Sequence, residues 1–380
     1  MGNFWRTCRW GEARIAASRA TSFGHLLPRA AGGAGGRRFD FVCLVALALF
    51  SACPASAQTV ESFYRSKTLT IFVPSGAGGV NDTAARLVGK HLPRFLPGVP
   101  KTVVENVPGA GGLTLANRLY NTLEKDGSVI SVLERGTPQT SIQGDPNARF
   151  DASKLTWLGS ISSYGNDAYL LTVHQRHEAR TLADIQKPGK PVKIGTSGPG
   201  ATNRTVPLIG KELFGFNLEQ VRGYTGAPQI FLAMFNGEID AQIIGLSALR
   251  GQQLAAWRDG VFRPLVGFGR RARHPDLPDT PIAWELAKDA ESRQLLDFTE
   301  MPFFMALPFA APPGLPPDRA EALRGAFMAM ANDGEFRREA TAAQLDVTPV
   351  DHAYVTNLIV EAMKTPKSVI ERYTRIVGAH

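Results

Sequence analysis

The stretch Leu69-Thr70-Ile71-Phe72-Val73-Pro74-Ser75-Gly76-Ala77-Gly78-Gly79-Val80-Asn81-Asp82 decides the fold. Its first five residues read as a buried strand, and apolar Ala84, Ala85, Leu87, Val88 and Leu92 recur at the spacing of a helix packed on that strand from Asp82 to Leu92. The glycines between them allow a tight turn and a close approach to the backbone. The next helix then points free N–H groups and its positive dipole end at that spot, which is the layout of an anion cradle. The same layout recurs at Ile194-Gly195-Thr196-Ser197-Gly198-Pro199-Gly200-Ala201-Thr202-Asn203. Tight-turn geometry accounts for either loop alone as readily; two such loops on two lobes suit one small acid held between them.

Outward from the first loop, strand 102–106 runs into Pro108-Gly109-Ala110-Gly111-Gly112 and a helix from 113 to 123, and Asp126-Gly127 turns into the apolar strand 129–133. Strand, helix, strand, helix, strand implies a parallel, right-handed sheet. Strands at 157–161 and 168–173 lead into a second βα lobe. It holds the strand 192–195, helices at 205–214, 228–236 and 247–257, and strands at 241–244 and 264–268. Helices near 318–331, 334–343 and 352–363 return toward the first lobe, and the two crossings form a hinge. The expected division is residues 1–57 as a leader, 58–165 as the first part of lobe 1, 166–267 as lobe 2 and 268–380 as the return to lobe 1.

The leader follows from charge and hydropathy order. Arg37-Arg38 precedes the apolar run Phe41 to Phe50, and Ala55-Ser56-Ala57 supplies a small-residue cleavage site before Gln58, as in a secretory signal peptide. Acylation at Cys53 is the weaker alternative, because Phe50 replaces a small aliphatic residue. The formal charge of +8 includes seven arginines and two acids within residues 1–57, leaving 35 basic against 32 acidic residues, a net of +3. That is a poor footprint for nucleic acid. Cys8, Cys43 and Cys53 all lie in the leader, so the mature chain has no disulfide or thiolate metal site.

Enzyme signatures fail one by one. The dinucleotide fingerprint starting at Gly76 or Gly109 would need its last glycine where Asn81 or Thr114 stands. Gly210-Lys211 is followed by Glu212 instead of Ser or Thr, and the elbow at Ser197 meets Pro199 instead of glycine. His174 and His177 lack the glutamate of a zinc helix. The chain therefore reads as a binding protein, not an enzyme, with no cofactor and no metal. A hydrolase-like periplasmic enzyme built on Ser197, without a placed base, is the rival from another class, and a ligand sensor without transport is the third reading.

Pro74 to Asp82 with Ala85-Arg86, Val104-Glu105-Asn106-Val107-Pro108-Gly109-Ala110-Gly111-Gly112, and Asp126-Gly127 before the third strand resemble the substrate-binding proteins of tripartite tricarboxylate transporters. Further along, Gly195 to Thr202, Tyr224-Thr225-Gly226-Ala227-Pro228 and Asn236-Gly237-Glu238-Ile239-Asp240 continue the resemblance, which runs from about Phe63 to Tyr373. It implies an α/β, two-lobe, type II periplasmic binding fold, each lobe a mostly parallel sheet flanked by helices. It also implies a small carboxylate ligand, integral-membrane transporter subunits as partners and a periplasmic location. Carried onto this sequence, the first pincer is Ser75, Gly78, Gly79, Asn81 and Asp82, and the second is Thr196, Ser197, Gly198, Thr202 and Asn203. Tyr164 and Tyr224 stand where cleft walls are expected, with core packing as the alternative. Gly223-Tyr224-Thr225 departs from the usual Pro-Tyr-Lys, and Pro199 interrupts the second loop.

Asp82 would repel an anionic ligand. Its residue type suits a helix cap or first-turn acid, and Arg86 lies at the i,i+4 spacing that lets the two pair; a partner for a ligand amino group is the rival role.

Overall fold

The computed structural model describes residues 58–378 apart from 166, 198–200 and 225. The leader and Gly198 lie outside the described residues. In chain order the elements are α1 (Val60–Ser66), β1 (Thr68–Val73), α2 (Val80–His91), β2 (Lys101–Asn106), α3 (Leu113–Asn121), β3 (Val129–Val132), α4 (Thr137–Ile142), β4 (Thr156–Ser160) and β5 (Tyr169–His174). They continue as β6 (Val192–Thr196), α5 (Thr202–Phe214), β7 (Leu218–Arg222), α6 (Ala227–Asn236), β8 (Ala241–Gly245), α7 (Leu246–Arg258) and β9 (Phe262–Phe268). The chain ends with α8 (Ala283–Leu286), α9 (Ala290–Glu300), β10 (Pro308–Ala311), α10 (Pro317–Asn332), α11 (Gly334–Ala342), β11 (Val350–Asp351), α12 (His352–Met363) and α13 (Lys367–Gly378).

Two sheets organise these elements. The first has the order β11-β4-β10-β3-β1-β2, the second β7-β6-β8-β5-β9. In the first, β1 pairs in parallel with both β2 and β3, as the βαβ pattern requires, and the returning β10 pairs antiparallel with β3 and β4. In the second, β6 is parallel to β7 and β8, while β5 runs antiparallel to β8 and β9. In each sheet the parallel strands fill one end, β3-β1-β2 in the first and β7-β6-β8 in the second, and antiparallel strands fill the other.

Both faces of each sheet are covered. Leu69, Ile71 and Val73 of β1 face Phe309 and Phe327 on one side of the first sheet, while Phe72 joins Trp157 and Leu115 on the other. In the second sheet Ile194, Ile243 and Val266 meet Phe216 and Phe303, and Ile244 meets Phe231 and Phe262. Side chains this large and this fully buried each contribute on the order of 1.5–3 kcal/mol through loss of water contact.

The expected single return of 268–380 to the first lobe is divided instead. Strands β10 and β11 join the first sheet, but Ala283, Leu296 and Phe303 pack in the core of the second. Leu295, Phe298, Val369 and Tyr373 bury Ile209 of α5. The cause is the apolar face of α5, which the second lobe cannot cover with its own strands. At the crossings, Arg270 donates to the carbonyls of Gly165 and Asp167. Glu300, wholly buried, accepts from the Gly269 N–H at 3.0 Å and from Arg271 at 2.7 Å. No helix among the described residues is long and apolar enough to cross a membrane.

Candidate functional site

A cleft of about 590 Å³ is lined by residues of both sheets. From the first come Val80, Gly111 and the segment Glu134 to Gln143 after β3; from the second come Ser197, Thr202, Asn203, Thr205 and Gln242 to Gly245. The segments following β1, β3, β6 and β8 all leave the carboxyl ends of parallel strands, where open α/β sheets gather ligands. Tyr373 of α13 completes the wall, its hydroxyl bonded to Gln139 at 3.3 Å.

Of the second loop's expected residues, Ser197, Thr202 and Asn203 line the cleft. Helix α5 starts at Thr202, three residues before the expected boundary. Asn203 folds back so that its Oδ1 accepts the Ser197 N–H at 3.2 Å and its Nδ2 donates to Ser197 Oγ at 3.1 Å. Thr202 Oγ1 lies 3.2 Å from Tyr169 Oη. Thr196 does not reach the cleft: it is wholly buried at the end of β6 with its hydroxyl directed to the Val221 carbonyl.

The first loop differs from expectation. Of its residues only Val80, 59% exposed, lines the cleft; Ser75, Gly78, Gly79, Asn81 and Asp82 do not. Gly78 takes φ +85°, a turn conformation that side chains disfavour. Helix α2 begins at Val80 with Gly79 as its cap, so Asp82 sits inside the first turn. The Asp82 carboxylate accepts from Gly78 N, Asn106 Nδ2 and both Nε and an Nη of Arg86, all at 2.9–3.0 Å. Arg86, chiefly, holds its pKa down at about 2. A carboxylate engaged in four such bonds is a brace for the loop, and it is not free for a ligand. Asn81 acts on the cleft indirectly, donating to Glu134 at 2.6 Å. Gly112 permits this arrangement, because a Cβ there would stand 2.8 Å from the Glu134 Cγ.

Tyr164 lies on the cleft wall, stacked on Tyr169 with ring centroids 5.0 Å apart. Tyr224 does not; it packs on the cluster of Ile230, Phe231 and Met234 behind the sheet. Sequence reasoning passed over Arg135. This residue lies 5.4 Å over the Tyr164 ring, donates to Tyr164 Oη at 3.1 Å and forms no ion pair among the described residues. Burial opposes its charge, yet the Tyr164 and Tyr169 oxygens and Glu134 outweigh that and hold the guanidinium more firmly charged than usual. Burial raises the pKa of Tyr169 to about 12 and that of Glu134 above its ordinary value. Thr137 and Gln242 were also passed over; both are buried on the wall with their side-chain polar atoms unpartnered among the described residues.

Metal-like spacing occurs at His91, Asp333 and Glu335, none of which lines the cleft. The Arg94 guanidinium bonds all three and fills the place of a cation.

No protein-family profile matches the chain. A UPF0065 protein in the TAR-I ttuE-ttuC' intergenic region of Agrobacterium vitis is 28% identical over 207 residues, 53% of this chain and 56% of that protein, so the chain spans little more than half the length of that relative. Among solved structures, a TctC solute-binding protein from Polaromonas superposes with a TM-score of 0.62 at 17% identity, covering 81% of this chain and 99% of that one. The chain has the TctC fold. MatC from Rhodopseudomonas palustris, solved with bound malate, shares that fold with a TM-score of 0.55 at 20% identity, over 82% of this chain and 99% of its own. The resemblance read from the two glycine loops to the tripartite tricarboxylate receptors therefore holds in three dimensions. In TctC-fold terms, the cleft lies between the two lobes, each built on one of the sheets.

Proposed function

We propose that this chain is a periplasmic solute-binding protein that captures a small carboxylate between its two lobes and presents it to integral-membrane transporter subunits of the tripartite tricarboxylate type. The observation that carries this reading is the cleft wall itself: an unpaired, firmly charged Arg135 from one sheet shares it with the start of helix α5 from the other. Both favour a negative guest, one by full charge and one by free N–H groups. Binding of malate by MatC supports the ligand class. In this reading Ser197, Thr202, Asn203 and Tyr164 contact the ligand, and the exposed Gly76 to Val80 loop closes over it when the hinge moves. Secretion through the 1–57 leader belongs to the same proposal.

A thermal-shift screen against dicarboxylates, hydroxy acids, aromatic acids and amino acids tests it. A true ligand at about a hundred times its Kd adds about 2.7 kcal/mol and raises Tm by several degrees. No shift with any acid, together with turnover of an ester or amide, would place the protein among enzymes instead.

A further inference from the structure

The polar groups of the cleft wall are unevenly matched. Among the described lining residues Arg135 is the sole cation, and the two carboxyl groups are Glu134 and Asp145. A second negative charge on the ligand would face those carboxyls with no further cation to meet it, at the cost of its hydration. On the β8 side, Gln242 is 1% exposed with both Oε1 and Nε2 unpartnered, and on the β3 side Thr137 is 2% exposed with Oγ1 unpartnered. Each such group left without a partner costs about 1–3 kcal/mol, which a bound ligand can recover. A carboxylate offers only acceptors, so it would bond the Gln242 NH₂ and leave Oε1 facing another anion-like oxygen. A primary amide offers N–H and C=O together and satisfies both ends.

We infer that the cleft selects a monocarboxylate bearing a neutral primary amide, with the carboxylate on Arg135 and the amide read by Gln242 and Thr137, over the dicarboxylate of the same length. This rests on the receptor reading given above. Arg135, Gln242 and Thr137 are specificity residues whose roles separate: the first sets affinity for any acid, the other two set the choice between amide and second carboxylate.

Titration calorimetry of the purified protein with succinate, succinamate, glutarate and glutaramate tests it. The amide acid of one pair should bind at least about tenfold tighter than its dicarboxylate, the size expected of one recovered buried hydrogen-bond pair. Gln242→Leu should bring that ratio to within about threefold, and Thr137→Val should lower it in the same direction, while Arg135→Gln weakens both members of the pair by a similar factor. Circular-dichroism melts establish that each variant is folded; should Gln242→Leu fail to fold, Gln242→Glu replaces it and should disfavour the dicarboxylate further. Equal or tighter binding of the dicarboxylates, or a ratio untouched by the Gln242 and Thr137 variants, overturns the inference and leaves the receptor reading standing. Failure of all four acids, and of every other acid in the thermal screen, removes both.

Discussion

Replacing Asp82 by Ala separates the two roles its position suggested. Its carboxylate is 3% exposed and accepts four bonds that tie the Gly78 turn, Arg86 and Asn106 together at the mouth of β1. Charge-assisted hydrogen bonds contribute about 1.5–3 kcal/mol each when fully buried. Arg86 is half exposed and keeps solvent as an alternative partner, which discounts its share. A loss of about 2–3 kcal/mol follows, or roughly 3–5 °C in Tm at about 2.1 cal/mol/K per residue for a chain of this length. The depressed pKa also sets a pH signature. The stabilisation is complete above the unfolded carboxylate's ordinary value, near 3.8, and fades as pH falls through about 2. Wild type and variant should therefore differ fully at pH 7 and converge in strong acid. Urea unfolding at both pH values measures the difference, and calorimetry with any acid found to bind measures affinity, which should fall by less than about fivefold. A variant of unchanged stability that no longer binds would refute the bracing role and return Asp82 to the ligand contacts.

Three further outcomes follow from other parts of the molecule. Glu300, buried at the hinge, has its pKa raised by burial from an ordinary 4.5 to about 7, so the native state holds its proton more tightly than the unfolded chain and the group's contribution to stability declines as pH rises between those values. Glu300→Gln abolishes that decline, and the stability gap between variant and wild type should move by about 2–3 kcal/mol in the variant's favour between pH 4.5 and pH 8; parallel unfolding curves would contradict it. Gly245→Val places a side chain where even a Cβ alone would stand 3.0 Å from the Tyr164 ring and 3.4 Å from the Asp167 carboxylate. It should lower stability by about 1–3 kcal/mol and weaken ligand binding, read by denaturant titration and calorimetry. Thr202→Ala removes the hydroxyl that meets Tyr169 Oη and stands at the start of α5, and should weaken acid binding several-fold with less than about 1 kcal/mol lost in unfolding; unchanged affinity would remove Thr202 from the cleft contacts.

Periodicity located β1 to β6, β8 and β9 to within a few residues, because runs such as 69–73 and 241–245 are largely buried; it placed no strand at β7, whose residues are only partly buried. Strand β10 escaped notice. It is four residues long, begins with Pro308 and adds to the sheet antiparallel, a pairing that no βαβ pattern announces. Helices α9 and α13 were hidden for a different reason: Leu295, Phe298, Val369 and Tyr373 find their partner in α5, far away in sequence. At the site, the glycine loops were legible as turns, but which of their groups face the cleft depends on tertiary packing. Asp82 and Asn81 are drawn inward by Arg86 and Glu134, and Tyr224 by an apolar cluster. Arg135, Thr137 and Gln242 carry no motif. The signal that points to them is position, after β3 and on β8, the strands at which each sheet changes from parallel to antiparallel pairing.

The central claim is that one small acid bridges the two lobes, and a crystal structure of the protein with its tightest-binding carboxylate tests it most directly. The account predicts a carboxylate within hydrogen-bonding distance of Arg135 that also touches Ser197 or Thr202 at the start of α5. An acid bound to one lobe alone, or outside the cleft walled by Tyr164 and Tyr169, would contradict it.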